Sequence, residues 1–376
     1  MKKFAVLNLV LVLSLLLGTA ALAQEGDFGV VQRTAETALA DWSPVISADA
    51  LYENLNDGDA SNDPFIVSVR SPEHYALGHI PGAINIPWKQ IAKPESLAQL
   101  PTDRPIVVYC YTGHTGQVAA TSLNLLGYNV QNLKYGMMGW TLDDEVLATT
   151  RYDPATAPDY PVETEPNEAT ETFPFPTLNT GQSDAQEIVR VAIDTALAEW
   201  SPVIGADALF ENLNDGDTSN DPVIVSVRGP DDYAKGHIAG AINIPWKQIA
   251  TPENLAKLPP DKPIVVYCYT GHTGQVAATT LKTLGYDVQN LKYGMMGWTL
   301  DDDVLATTRY DPATAPDYPV EGTAVSAATE EATTEEAAPE ALPETGGLPF
   351  PVEGILIGFG ALTAGAGLYL RRRKAA

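Results

Sequence analysis

Cysteine, histidine and positive charge are all scarce in this sequence. It has two cysteines and five histidines among 376 residues. Two cysteines cannot build a disulfide scaffold, and without a matching histidine cluster they do not spell a zinc site. No metal and no cofactor is therefore expected. Lysine and arginine number 22 against 48 aspartates and glutamates, for a formal net charge of −26. So negative a chain repels nucleic acid and anionic membrane surfaces, and neither is expected as a partner. What is plentiful is apolar side chain, 45% of the residues, enough for ordinary cores and enough to exclude wholesale disorder.

Both ends carry processing signals rather than fold. Lys2 and Lys3 precede an apolar run from Phe4 to Leu17, and Ala21-Leu22-Ala23 follows as a small-x-small cleavage site. Residues 1–23 thus read as a secretory signal peptide. At the other end, Leu342-Pro343-Glu344-Thr345-Gly346 is followed by an apolar stretch near Gly354–Leu370 and then by Arg371-Arg372-Arg373-Lys374. The apolar stretch is just long enough to sit in a bilayer, and the basic end holds it on the cytoplasmic side. The ordered set, residues 342–376, resembles the LPxTG sorting signal of bacterial sortase substrates. That resemblance implies a sortase transpeptidase as partner, attack at the carbonyl between Thr345 and Gly346, and transfer to the cell surface. Membrane contact would then be confined to this tail before processing. Residues 321–341, mainly Ala, Thr, Glu and Pro, bury nothing and read as an acidic stalk. Residues 163–187 begin with a stretch rich in Pro, Thr, Glu and Asn, which reads as a solvated linker of the same kind.

Between these ends one unit is written twice. Asp41-Trp42-Ser43-Pro44-Val45-Ile46 returns as Glu199-Trp200-Ser201-Pro202-Val203-Ile204, and Val107-Val108-Tyr109-Cys110 returns as Val265-Val266-Tyr267-Cys268, without a gap between them. Each copy has the size of a single domain, giving domains at 24–162 and 188–320. Phe65-Ile66-Val67-Ser68-Val69 and Pro105-Ile106-Val107-Val108-Tyr109 are short β-branched runs, read as buried strands. Ala83–Ile86 and Val130–Leu133 are weaker strand candidates. Ser47 caps a helical pattern over 48–55, and Thr115–Leu126 is a second helix, stopped by Gly127. Apolar strands alternating with helices imply an α/β fold with a mostly parallel sheet covered on both faces.

The cysteines fall at one place in this pattern. Cys110 follows the strand ending at Tyr109 and is joined to the next helix by Tyr111-Thr112-Gly113-His114, with Thr115 and Gly116 opening the helix. Cys268, Tyr269, Thr270, Gly271, His272, Thr273 and Gly274 repeat the arrangement. A thiol at the carboxyl end of a parallel strand, facing a helix N-terminus, occupies the usual ligand position of such sheets. Loop N–H groups and the helix dipole there stabilise a thiolate or a small oxyanion. Each cysteine is expected in its own domain's pocket, without a disulfide between them.

Val67-Ser68-Val69-Arg70-Ser71-Pro72-Glu73, Tyr75 and Gly78-His79-Ile80-Pro81-Gly82-Ala83-Ile84-Asn85-Ile86-Pro87, with the cysteine loop and Gly127 to Trp140, resemble rhodanese domains over almost all of 41–150 and 199–308. The resemblance implies two tandem domains, each with a five-stranded parallel sheet flanked by helices. It also implies sulfurtransferase chemistry: the thiolates of Cys110 and Cys268 take a sulfane sulfur from thiosulfate or from a polysulfide or persulfide, and a thiol or cyanide collects it. Residues 111–116 and 269–274 become the substrate-binding loops. Two features depart from the family pattern. Ser68 and Ser226 stand where it usually has an acid, and neither loop carries an arginine at Tyr111 or Thr115. His114 and His272 are then the only cationic candidates in the loops, partly charged near neutral pH, and a polysulfide or persulfide donor suits them better than the thiosulfate dianion. Gly116 and Gly274, six residues after each cysteine, exclude the arginine that related phosphatases need there. The alternative reading is a non-catalytic module that binds partners or senses sulfide and oxidants.

Arg70 and Arg228, each at a strand end, are candidate anion-binding groups. His79 and His237 sit in Gly-His-Ile turns and read as structural. Asp57–Asp63 and Asp215–Asp221 alternate oxygen side chains, yet lack the glutamate and glycine of a calcium loop and read as solvated turns.

Overall fold

The computed structural model describes residues 26–322. The leader at 1–23, most of the stalk, and Thr345 and Gly346 lie outside the described residues. Among the described residues no helix is long and apolar enough to cross a membrane.

The chain opens with helix α1 at residues 26–40. The first repeat then runs β1 (Val45–Ile46), α2 (Ala48–Leu55), β2 (Phe65–Ser68), α3 (Pro72–Leu77), β3 (Ile84–Asn85), α4 (Pro94–Leu97), β4 (Ile106–Tyr109), α5 (His114–Leu125), β5 (Val130–Leu133) and α6 (Asp144–Leu147). After α7 (Ala185–Ala198) the second repeat follows the same course. It comprises β6 (Val203–Ile204), α8 (Ala206–Leu213), β7 (Val223–Ser226), α9 (Pro230–Lys235), β8 (Ile242–Asn243), α10 (Pro252–Leu255), β9 (Ile264–Tyr267), α11 (His272–Thr283), β10 (Val288–Leu291) and α12 (Asp302–Leu305).

Each repeat forms a five-stranded sheet, ordered β1-β5-β4-β2-β3 and β6-β10-β9-β7-β8, and every strand pair is parallel. The central strand β4 reads Ile-Val-Val-Tyr and is buried at all four positions, because helices cover both faces and leave no side for polar alternation. Capping follows the sequence where it supplies a hydroxyl: Ser47 Oγ accepts from Ala50 N at 3.1 Å at the start of α2. Gly205 takes the same place before α8 with no side-chain cap.

The repeats exchange their flanking pieces. α1 touches the second repeat, with Gln32 Nε2 donating to Ala250 O at 2.8 Å and Lys247 Nζ to Ala40 O at 3.0 Å. α7 answers on the first repeat, through Lys89 Nζ to Ala198 O at 3.0 Å and the Lys93–Asp194 pair at 2.9 Å. The tails cross over as well. Tyr160 N donates to Trp298 O and Tyr318 N to Trp140 O, both at 2.8 Å, and each tryptophan indole returns a bond, Trp298 to Pro161 O and Trp140 to Pro319 O. Buried apolar residues consequently form two clusters, each drawing on both repeats.

The stretch after Glu163 differs from the solvated linker that its composition suggests. Phe173 N bonds Ala256 O at 2.8 Å, Phe175 stacks on Phe28 with ring centroids 5.0 Å apart, and Thr180 Oγ1 donates to Asp27 Oδ2 at 2.7 Å. The physical reason is a pair of sparse apolar anchors spaced among the prolines, Phe175 against Phe28 of α1 and Leu178 against the buried core.

Candidate active site

Cys110 stands at the carboxyl end of β4, the middle strand of its sheet, and Cys268 stands likewise after β9. Both are free thiols and both are 1% exposed. Gly113 N donates to Cys110 Sγ, and Gly271 N to Cys268 Sγ, each at 3.2 Å. Each sulfur therefore faces the start of a 12-residue helix, whose first N–H groups have no carbonyl partner within the helix.

The loop is held by the segment after β5. Met137 N donates to Cys110 O and Met138 N to Tyr111 O, both at 2.9 Å, while Asn132 Nδ2 donates to Gly113 O at 2.9 Å. Gly113 has φ +91°, and a Cβ there would lie 2.4 Å from His272 Nε2 of the other repeat. Only glycine fits both the left-handed turn and the close approach. Gly116 is needed for space alone, since its Cβ would meet Asn132 Oδ1 at 2.3 Å.

The loop residues divide by role. The Tyr111 hydroxyl turns away from the sulfur to accept from Ser71 N at 3.1 Å and to meet His74 Nδ1 at 2.8 Å. Tyr269 does the same with Gly229 N and donates to Asp232 Oδ2 at 2.7 Å. Thr112 and His114 face the other repeat. Tyr293 N donates to His114 Nε2 at 3.0 Å, which places the imidazole proton on Nδ1, 3.0 Å from Thr112 Oγ1. Tyr135 N, His272 and Thr270 mirror this geometry. The two imidazoles stack with centroids 6.2 Å apart. Thr115 and Thr273 lie in the first helical turns, and the Thr273 hydroxyl is buried without a hydrogen-bond partner.

Two expectations are corrected. His114 is not partly charged: burial, reinforced by Lys292, pushes it down to about 3. Burial, then His114 and Lys134, likewise drive His272 well below the usual imidazole range. Both are neutral hydrogen-bonding groups, because the opposing repeat removes them from water. Arg70 and Arg228 are not anion-binding groups either. Each is fully buried. Arg70 donates to Val146 O at 2.7 Å and to Gly78 O, and Arg228 donates to Val304 O and Gly236 O. With Ser68 and Ser226 in place of an acid, backbone carbonyls satisfy these guanidinium groups and fix the ends of α3, α6 and their counterparts.

His79 and His237 are structural. His79 Nδ1 lies 3.0 Å from Tyr75 O, and its Nε2 faces Glu321 at 3.3 Å. The residues that sequence reasoning missed are Tyr135 and Tyr293. Each sits before a Gly-Met-Met-Gly turn at φ +65°, against the histidine of the opposite repeat. A tyrosine between a lysine and a glycine carries no signal of that placement.

Comparison with known proteins decides the family. A family model described as the rhodanese-like domain matches residues 47–143 and 206–301, together just over half of the chain. The chain belongs to the rhodanese-like family. Among its relatives, a sulfurtransferase of Allochromatium vinosum is 33% identical over 96 residues, 25% of this chain and 85% of that protein. An HTH-type transcriptional regulator of Mycobacterium tuberculosis is 38% identical over 127 residues, 31% of this chain and 54% of the regulator. The crystal structure of a thiosulfate sulfurtransferase from Pseudomonas aeruginosa aligns over 77% of this chain and 50% of that one, at 18% identity and a TM-score of 0.27. The chain thus spans about half the length of the latter two proteins.

Proposed function

We propose that this rhodanese-like protein is a sulfurtransferase that carries sulfane sulfur on Cys110 and Cys268. The observation that supports this most is the Gly113 N–H on Cys110 Sγ at the head of α5, repeated at Cys268. In the first step the thiolate attacks the sulfane sulfur of a donor R–S–S⁻. A Cys–S–S⁻ bond forms, the donor S–S bond breaks, and RS⁻ leaves with the electron pair. With thiosulfate the leaving group is sulfite. An acceptor thiolate or cyanide then takes the outer sulfur and restores the cysteine thiolate. Loop amides stabilise the anionic sulfur throughout, so no further covalent group is required.

With both imidazoles neutral, the loop offers the donor dipoles rather than a full positive charge. A persulfide, with a single terminal charge, or a polysulfide, whose charge is spread along a thin sulfur chain, fits this better than the compact thiosulfate dianion. The 1% exposure of the thiols favours a second reading, a redox-sensing or binding module whose cysteines stay covered. Turnover separates the two. With polysulfide as donor and cyanide as acceptor, Cys110→Ser or Cys268→Ser alone should retain about half the thiocyanate formation, and the double variant none. Full activity in the double variant removes the sulfurtransferase reading. We propose too that the protein works outside a bacterial cell, anchored through Thr345, on the strength of the ordered C-terminal signal.

A further inference from the structure

Each cysteine loop is met by the opposite repeat, and beside the Cys110 loop that cover borders a cleft. Over the Cys110 loop lies Tyr293. Its backbone N–H is fixed by His114 Nε2 at 3.0 Å, and its ring meets His114 and Tyr152 edge-on, with centroids 5.1 Å away in both cases. Burial pushes its phenol up, which keeps the hydroxyl protonated. Its own O–H donates to Met138 Sδ at 3.8 Å, a weak partner that an incoming anion can replace. On its outer side Tyr293 lines a cleft of about 190 Å³ with Tyr152, Lys292, Arg151, Asp153 and Asp207. Most of the charges there are engaged. Arg151 pairs with Asp144 at 2.9 Å, Asp153 Oδ1 accepts from Ala155 N, and Asp207 Oδ1 accepts from Tyr160 Oη. Lys292 instead rests its ammonium 5.2 Å above the Tyr293 ring. Tyr135, Tyr310 and Lys134 repeat the arrangement against His272.

We propose that this cleft is the entrance to Cys110, with Tyr293 as its gate and Lys292 as the anchor for a thin, anionic, chain-like sulfane donor such as a hydropolysulfide, and that Tyr135 and Lys134 serve Cys268 in the same way. The substrate class rests on the sulfurtransferase reading; the crossed gating does not. The neutral phenol hydroxyl can donate to the terminal sulfur of the donor while Lys292 holds its charge, so each repeat supplies the thiol of one site and the gate of the other.

The test uses the full-length chain and mass spectrometry resolved to each cysteine peptide, with iodoacetamide as a neutral probe and sodium tetrasulfide as the donor. Tyr293→Ala should speed alkylation of Cys110 at least about tenfold and leave Cys268 unchanged, while Tyr135→Ala does the reverse. Lys292→Gln, which removes the charge and keeps most of the side chain, should slow sulfur loading of Cys110 about five- to tenfold and leave its alkylation by the neutral probe untouched. Acceleration of the same-repeat thiol, equal acceleration of both, or no effect of Lys292→Gln on loading overturns the assignment. If the two tyrosine variants alkylate in the crossed pattern yet the wild-type chain loads no sulfur, the gate stands and the sulfurtransferase reading falls.

Discussion

His114 and His272 show how a residue's chemistry is set by what is folded over it. An unfolded histidine titrates near about 6.5, whereas burial lowers His114 to about 3. Below pH 6.5 the unfolded chain binds a proton that the folded chain refuses. The stability this histidine supports is therefore fully present above about pH 6.5 and is lost as pH falls toward 3. At pH 5 the loss from His114 amounts to about 2 kcal/mol, and His272 adds in the same direction. The paired substitution His114→Gln with His272→Gln retains an acceptor for the Tyr293 and Tyr135 N–H groups but no longer titrates. It should flatten the fall in Tm between pH 7 and pH 4 relative to wild type, and an unchanged profile would contradict neutral, buried imidazoles. At this scale the cysteines were legible, because strand, thiol, glycine loop and helix are contiguous in sequence. The histidines' neutrality and the tyrosine gates were not, because both depend on residues of the other repeat. Arg70 misled for a related reason: a cation at a strand end reads as exposed until Val146 O and Gly78 O are seen around it.

At the scale of elements, the apolar runs of β2 and β4 and the capped α2 followed directly from period and capping, since each is a local pattern. The tails did not. Tyr318 stacks on Tyr52 with ring centroids 4.0 Å apart, and its hydroxyl donates to Asp49 Oδ1 at 2.6 Å. That bond to an acidic acceptor raises the phenol to about 12. Tyr160 stacks in the same way on Phe210. A short tail with a tyrosine and two prolines has no periodicity to betray that it straps a neighbouring domain. Tyr318→Ala should cost about 2 kcal/mol, seen as a lowered Tm, with the first repeat losing hydrogen-exchange protection around Trp140 before the second. Loss confined to the second repeat would mean that the tail does not brace the first.

At the scale of the molecule, the duplication has produced two halves that complete one another. Flanking helices, tails and gates all cross between repeats, so the interior is continuous and the two thiols occupy equivalent, reciprocal sites. The surplus of acid over base belongs mostly to the outside of this pair, and the two cysteine loops contain no arginine or lysine, which together disfavour a compact dianion such as thiosulfate. The family and the sheet were readable from the repeated motifs; the mutual covering of the sites was not, because sequence identity between repeats says nothing about how they pack. The most direct measurement is the intact mass of the purified chain after treatment with tetrasulfide and removal of excess donor. The account predicts a gain of two sulfur atoms, about 32 Da each, one lost with Cys110→Ser and the other with Cys268→Ser. No gain in mass with any sulfane donor, or a gain that survives loss of both cysteines, would contradict it.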